Sequence, residues 1–213
     1  MEQPQKLALI LIKQIQQKQI VQTKKNIMKY LFFTLIFFTI SCNAQVISLE
    51  EAAQCLTNPN CPNYNYAKDI NNSLDKYIST WKGTYNGKTY EIQLKKGIYE
   101  EIGIKRDKLI GRMKVTDTNG NIIYNTFNEP NDIKTNFDGL NFQPDLKAYM
   151  MYFIGNSEFA CGEEGIVYLR IKPETPNKMS ILMLQDADIT WGECPPSYQP
   201  TIPYKKSISL VKQ

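Results

Sequence analysis

The chain has 213 residues, with 25 basic residues, 21 acidic residues and no histidine. The segment before Cys42 holds six lysines and a single acid, Glu2, so the remainder carries 19 basic against 20 acidic residues. A nearly neutral remainder lacks the basic surface that nucleic-acid binding requires. Without histidine, the chain also lacks the usual general base, the commonest metal ligand and every Ser-His-Asp or Cys-His arrangement.

Paired carboxylates are the remaining candidates for acid–base catalysis. The candidate pairs are Glu100 with Glu101, Glu163 with Glu164, and Asp186 with Asp188. Adjacent residues of a strand point to opposite faces, so neither glutamate pair can direct both members at one substrate, whereas the two aspartates can share a face. Acidic residues near turns are usually exposed to solvent. We therefore predict that the protein is not an enzyme, with no catalytic residue, no metal site and no cofactor.

The first predicted element is an export signal that ends at Cys42. An apolar run from Leu31 to Ile40 follows a basic residue, and it is far shorter than the roughly 20 residues of a membrane-spanning helix. Ser41 lies directly before Cys42, which is typical of a signal whose cysteine becomes lipid-modified. We predict a leader and signal peptide over residues 1–41, with translation beginning at Met28.

Two cleavage sites compete at the end of this leader. If the thiol of Cys42 is acylated, the chain begins there and its acyl chains anchor it in a membrane. If cleavage follows Ala44 instead, the product begins at Gln45 and is freely soluble. We favour the lipid anchor because Ser41 suits the peptidase that processes lipoproteins. The membrane is therefore the first predicted partner.

Four further cysteines predict two disulfides, because an even number in an exported chain usually forms bridges. Of the three pairings that four cysteines allow, we prefer Cys55 with Cys61 and Cys161 with Cys194, since neighbours in chain order close the shortest loops. The loop-entropy relation gives these bridges about 2.4 and about 4 kcal/mol. Zinc binding is the alternative interpretation, but the chain has neither a Cys-x-x-Cys pair nor a histidine.

Two short helices are predicted ahead of the sheet. Ser48 and Glu51 match a capping box that opens a helix toward Cys55. Between Tyr66 and Ile78, apolar residues recur at helical spacing and predict a second helix with one apolar side. Residues 42–66 would then form a lipid-linked segment ahead of a β domain over residues 67–213.

A hairpin at Asn86-Gly87 is the clearest structural signal, because these residues tolerate the positive φ of a type I′ turn. A two-residue loop pairs Tyr85 with Lys88 and Trp81 with Ile92, together with every residue between them. Side chains then alternate between a core face and a solvent face. The predicted core face carries Trp81, Tyr85, Tyr90, Ile92 and Leu94.

A second hairpin is predicted around Gly120, between strands at Leu109 to Val115 and Ile122 to Phe127. We favour a three-residue loop with Gly120 in the left-handed region, which places Phe127 opposite Gly111. The core face of this hairpin would carry Leu109, Met113, Val115, Ile123 and Phe127.

Further strands are predicted at Ala148 to Ile154, Gly165 to Lys172, Lys178 to Leu184, Lys205 to Lys212 and Ile98 to Ile104. Long polar loops separate them at residues 128–146, 156–164 and 186–203. About eight short strands in hairpin order indicate a mainly β fold, an antiparallel meander that closes into a barrel. A β-sandwich is the alternative.

Five segments carry a resemblance to a known family: Asp69-Ile70-Asn71-Asn72, Thr80-Trp81-Lys82-Gly83-Thr84-Tyr85, Leu109-Ile110-Gly111-Arg112, Asn141-Phe142-Gln143-Pro144 and Gln199-Pro200-Thr201-Ile202-Pro203. They resemble an uncharacterised family of exported domains from Bacteroidota, over Ala67 to the carboxy terminus. The resemblance implies a lipoprotein-type signal and no defined activity. The Trp-x-Gly step at Trp81 also resembles lipocalin-like barrels, which carry Gly-x-Trp, but a shared fold would not transfer a ligand.

The resemblance also implies a location. Surface export of lipoproteins in that group follows an acidic patch after the cysteine, and Asn43 to Val46 contains no acid. We therefore predict anchoring at the outer membrane on the periplasmic side of the cell envelope. Secretion as a soluble protein is the alternative.

Three functions are consistent with these patterns. The first is an interaction or structural role in the cell envelope, with an envelope protein bound through the long loops. The second is a barrel that binds a small apolar molecule or lipid in an internal cavity. The lining of such a cavity would be Trp81, Tyr85, Tyr90, Met113 and Phe127. A carboxylate enzyme ranks third.

Overall fold

The computed structural model describes residues 45–155, 161–186, 194–196 and 198–213, together with Lys24. Residues Gln45–Gln213 form one compact unit. The predicted signal peptide, the lipidation site Cys42 and the carboxylate Asp188 lie outside the described residues.

Within these residues the chain forms mostly strands. The strands are β1 Val46–Ser48, β2 Tyr66–Lys68, β3 Ser79–Tyr85, β4 Lys88–Glu101, β5 Ile104–Thr116, β6 Ile122–Asn125, β7 Phe137–Phe142, β8 Tyr149–Ile154, β9 Glu164–Ile171, β10 Lys178–Gln185 and β11 Ser207–Lys212. One α-helix, α1, spans Leu49–Gln54, and two 3-10 helices, η1 and η2, span Asp75–Tyr77 and Asp132–Thr135. The capping box of Ser48 and Glu51 begins α1, as predicted.

Eight strands close into an antiparallel barrel, in the order β3, β4, β5, β7, β8, β9, β10 and β11. The last strand returns to the first, since Val211 pairs with Lys82 and Lys212 with Trp81. A seam between β5 and β7 completes the ring, where Ile110 pairs with Asp138. The predicted lipocalin-like barrel is confirmed, and the alternative sandwich is not formed.

The hairpin of β3 and β4 has the predicted register from Tyr85–Lys88 back to Trp81–Ile92. Asn86 and Gly87 have φ values of 51° and 76°, as a type I′ turn requires. The rings of Trp81 and Tyr90 are buried at 0% and 1% exposure. On the opposite face, Lys82 and Glu91 form an ion pair at 3.4 Å. The alternation of faces is therefore as predicted.

The predicted separate strand at Ile98 to Ile104 is wrong. β4 continues to Glu101, a turn follows at Ile102-Gly103, and β5 begins at Ile104. Leu94 of β4 pairs with Ser79, the first residue of β3. Beyond that pair, β4 and β5 remain paired with each other as far as Glu101–Ile104. The β4–β5 hairpin therefore projects past the start of β3.

The predicted helix between Tyr66 and Ile78 is also wrong. Tyr66–Lys68 forms β2, which lies parallel to β5, and β1 lies parallel to β2. The carboxylate of Asp69 accepts the backbone N–H of Ser73 at 2.7 Å, and such local bonds compete with a helix. The residues Asp75–Tyr77 keep helical backbone, as η1.

The second hairpin confirms one prediction and corrects another. Gly120 has φ 85°, and Asp117 N–H donates to Asn121 O at 2.9 Å, so the three-residue loop is present. A bulge then pairs Val115 with Tyr124, which leaves Ile123 44% exposed and Tyr124 in the core at 3%. The predicted core positions of Ile123 and Phe127 are therefore wrong.

The interior is filled by side chains, as expected for an eight-stranded barrel. Trp81, Met113, Phe137, Phe153 and Ile181 are 0% exposed. The rings of Phe137 and Phe153 lie edge to face at 5.6 Å between centroids. A void that could hold water would leave part of its lining accessible, so no such void lies beside these residues.

Candidate functional site

The predicted cavity lining does not form among the described residues. Trp81, Tyr90 and Met113 are at most 1% exposed, so they pack in the core and do not line an open space. Tyr85 is partly buried and packs against the same core. Phe127 follows β6 and is half-buried, with Lys114 Nζ at 5.5 Å from the centroid of its ring.

The carboxylate pairs do not converge on one site. Glu100 and Glu101 are exposed near the end of the β4–β5 hairpin. Glu163 is 4% exposed and its carboxylate accepts the N–H of Thr201, whereas Glu164 accepts the hydroxyl of Tyr152 at 2.9 Å. Neighbouring glutamates thus have different partners, as strand alternation predicts. Asp186 is exposed.

A pocket of about 350 Å³ lies where three connections of the barrel meet. Its lining includes Lys76 of η1, Lys147 of the β7–β8 loop and Lys172 of the β9–β10 loop. Arg170 contributes from the last part of β9, and Glu174 is the single acid of the lining. We call this the basic pocket.

Three cations of the basic pocket have no acidic partner among the residues that the structure describes. The ion pairs of that part of the chain involve neither Lys76, nor Arg170, nor Lys172. Lys76 Nζ lies 5.2 Å from the ring centroid of Tyr77. Lys147 pairs with Asp145 at 3.5 Å, but both side chains are exposed and such pairs contribute little. The pocket therefore carries an uncompensated positive charge.

A second pocket of about 370 Å³ shares Arg170 with the basic pocket. We call it the outer groove, because its lining lies on the outward face of β9 and β10. Tyr168 is two residues from Arg170 on β9, so both point outward, and Leu182 of β10 pairs with Tyr168. Leu184, also of the lining, is 38% exposed. Arg170 thus lies where a basic pocket meets an apolar groove.

This arrangement suits an anion with an apolar part. Arginine presents a planar fork of donors that matches phosphate and carboxylate oxygens. Tyr168, Leu182 and Leu184 offer apolar surface directly beside that fork. Among the residues that the structure describes, no group of three or more His, Cys, Asp or Glu could hold a metal ion.

Sequence reasoning did not find these cations. Lys76, Lys147, Arg170 and Lys172 form no run and match no motif. The β-barrel topology brings them together, because η1, the β7–β8 loop and the β9–β10 loop share one end of the barrel. The available signal was weak: Lys147, Arg170 and Lys172 stand near predicted strand ends, where solvated charges are common, and Lys76 stands in a predicted helix.

Two disulfides stabilise the connections of the fold, as predicted. Cys55 is bonded to Cys61, with their Cα atoms 5.1 Å apart, and Cys161 is bonded to Cys194 at 4.8 Å. The first links the end of α1 to the loop before β2, and the second links the residues just before β9 to the loop between β10 and β11. Within the described residues, no helix is long and apolar enough to cross a membrane.

The fold and the two disulfides define the class of protein. It is a mainly β protein, a closed eight-stranded antiparallel barrel of the lipocalin-like type. The chain belongs to the Family of unknown function (DUF6705), which matches residues 10–167. That match confirms the predicted membership of an uncharacterised family, although it begins well before Ala67 and ends within β9. No curated protein and no solved structure matches the chain.

Proposed function

We propose that this protein is a lipid-anchored, non-catalytic binding protein of the cell envelope, which recognises an anionic amphiphile on the outside of its barrel. One observation carries the proposal: Lys76, Arg170 and Lys172 meet at a pocket of about 350 Å³ without an acidic partner in the described part of the chain. The anionic group would lie among these cations, and the apolar part would extend over Leu182 into the outer groove.

The filled interior supports an external site. A ligand-binding barrel of the internal kind needs an enclosed space of about 300 Å³ or more. Trp81, Met113 and Phe153 have no accessible surface of their own, so no such space lies beside these side chains. Recognition then depends on the outward side chains of β9 and β10 and on the loops at the η1 end.

The location of the protein rests on its leader. The apolar run ending at Ser41-Cys42 and the two disulfides support export, and the resemblance to exported domains of Bacteroidota supports an outer-membrane lipoprotein facing the periplasm. Acylated Cys42 would be the first residue of the mature chain. An envelope protein that carries the anionic amphiphile is the natural second partner.

Binding of dodecyl phosphate tests the site. Calorimetry with the membrane-extracted protein should show saturable binding, and R170E should weaken it about tenfold or more, because a charge-assisted hydrogen bond contributes about 1.5–3 kcal/mol. The matched control is K206E, which makes the same charge change at an exposed lysine outside the pocket. Equal affinities of R170E and K206E, or no binding by the unsubstituted protein, would overturn the proposal.

Intact mass spectrometry of the membrane-extracted protein tests the anchor. The expected mass is that of a chain beginning at Cys42 with acyl chains attached and two disulfides closed. A soluble product that begins at Gln45 would contradict the anchor and leave the binding site to be judged by the calorimetry alone.

A further inference from the structure

The β4–β5 hairpin ends in an exposed apolar tip, which we define as Ile98, Ile102 and Ile104. These side chains are 56%, 94% and 52% exposed. Ile98 and Ile104 lie on opposite faces of the hairpin, and Ile102 occupies the turn between its strands. Single exposed apolar residues are ordinary, but a cluster on a projecting element indicates an interaction site.

The turn at this tip is strained. Ile102 has φ 48° and Gly103 has φ 77°, the values of a type I′ turn. A β-branched residue at positive φ is a genuine outlier, and asparagine is the preferred residue there. The β3–β4 hairpin of this chain uses Asn86 at the equivalent position. The backbone of Ile102 is strained, and its large apolar side chain is exposed to solvent. A residue that combines these two unfavourable features indicates a functional role.

Gln45, the residue at which the described barrel unit begins, lies near the tip. Asn65 N–H donates to Gln45 O at 3.2 Å, and Lys105 N–H donates to Asn65 O at 2.7 Å. Gln45 is therefore two strand spacings, roughly 10 Å, from Lys105, the neighbour of Ile104. Cys42 precedes Gln45 by three residues, which span at most about 11 Å. A lipid on Cys42 would lie within reach of the tip.

Side-chain bonds hold this arrangement. Asp107 of β5 accepts the hydroxyl of Tyr66 at 2.7 Å through Oδ1 and the N–H of Asp69 at 2.9 Å through Oδ2. Asp69 in turn pairs with Lys96 of β4 at 2.8 Å. Both strands of the hairpin are thereby linked to the segment that leads back to Cys42.

The charges around the tip balance. Glu100 lies opposite Lys105 in the register, and Glu101 and Arg106 lie next to them in the two strands. The residues beside the tip therefore carry equal numbers of acidic and basic side chains. Tyr99 adds an aromatic ring, a residue type that is enriched at membrane–water interfaces. Attraction of this tip to a surface would therefore come from apolar burial and not from net charge.

We infer that the tip inserts into the interface of the lipid bilayer that holds the anchor, and so fixes the orientation of the barrel on the membrane. The inference rests on the proposed lipid anchor at Cys42. The hairpin projects from the η1 end of the barrel, so an inserted tip turns the basic pocket toward the lipid headgroups. Because Cys42 precedes Gln45 by only three residues, a lipid on Cys42 would hold the membrane close to the tip. We therefore take the lipid bilayer as the partner that the tip contacts.

Depth-dependent fluorescence quenching tests this inference. The membrane-extracted I102W variant is reconstituted into phosphatidylcholine vesicles that contain bromine-labelled acyl chains. The fluorescence that I102W adds to the native tryptophan signal should be lost in these vesicles and retained in unlabelled ones. The matched control is I133W, since Ile133 is 78% exposed on η2, which contacts the hairpin through Asp132 and Lys95 and not at its tip. High salt should leave the quenching unchanged.

A second variant, I104W, guards against misfolding of the strained turn, because Ile104 has ordinary strand backbone. Quenching of both tip variants and not of I133W supports the inference. Equal quenching at the tip and at Ile133, or none at the tip, overturns it. If intact mass spectrometry shows no acyl chains, the proposed lipid anchor is refuted independently of the tip. Quenching after the protein is simply mixed with vesicles then decides whether the tip still inserts.

Discussion

Tyr149 shows how one polar atom secures the closure of the barrel. Its hydroxyl, on β8, accepts the backbone N–H of Leu109 of β5 at 3.2 Å, beside the seam between β5 and β7. Burial raises the pKa of Tyr149 well above its usual value, so the hydroxyl stays neutral in the core. The side chain is 0% exposed, and no water can replace it.

We expect Y149F to lower the free energy of unfolding by about 1–3 kcal/mol, because the amide of Leu109 would remain buried without a partner. Urea denaturation measures the change. The control is Y152F, since Tyr152 donates to Glu164 at a half-exposed position where water can substitute. A loss for Y152F as large as for Y149F would contradict this account.

A substitution at Ile102 is expected to stabilise the protein, in contrast to Y149F. We expect I102N to raise the free energy of unfolding by about 1 kcal/mol, because asparagine adopts positive φ at lower cost than a β-branched residue. The same substitution should abolish insertion of the tip, which separates stability from membrane contact. Thermal unfolding provides the measurement, and a destabilised I102N protein would show that Ile102 makes a structural contact.

Among the elements, β7 is held by close packing around Gly139. A Cβ atom at Gly139 would lie 2.5 Å from the hydroxyl of Tyr149 and 2.7 Å from the backbone nitrogen of Leu109. Such distances leave no room for a methyl group. The β5–β7 seam can form only because this position of β7 has no side chain.

We expect G139A to cost about 2–3 kcal/mol through overpacking and to open the seam. Hydrogen exchange of the Leu109 amide should become faster, because its bond to Tyr149 is broken. The control is G120A, where a Cβ would meet nothing within 4 Å although its φ is 85°. Unchanged protection of Leu109 in G139A would contradict the role given to this glycine.

At the scale of the whole molecule, tyrosines set the behaviour at high pH. A hydrogen bond to Asp107 raises the pKa of Tyr66 to about 12, and burial raises the pKa of Tyr90 and of Tyr152 to about 12. Burial also raises the pKa of Tyr77, Tyr124 and Tyr149 well above the usual range. Neutral tyrosines are therefore favoured by the folded state.

A group whose folded pKa is raised contributes stability that is complete below its unfolded pKa and is lost as pH rises through the folded pKa. Tyrosine in an unfolded chain has a pKa of about 10. We expect the free energy of unfolding to fall between about pH 10 and about pH 12, with tyrosinate absorbance rising in a late, cooperative phase. A single early phase with an intact fold would contradict this prediction.

The sequence by itself determined the features that depend on neighbours along the chain. The capping box of Ser48, the type I′ turn at Asn86-Gly87 and the loop at Gly120 each involve residues no more than four apart, so local geometry decides them. The two disulfides followed from the pairing that closes the shortest loops, and the strands β8 to β11 followed from alternating side chains. The signal peptide and the lipid anchor remain predictions from the leader.

The tertiary structure alone decided the rest. Residues Tyr66–Lys68 became a strand and not a helix because β5 supplied a parallel partner and Asp107 bonded to Tyr66. Strand β7, inside a predicted loop, exists because Gly139 fits against β5 and β8. The basic pocket unites residues 76, 147, 170 and 172, which only the closure of the barrel brings together. Long-range pairing and packing set these features, and no spacing within the sequence encodes which distant strands will meet.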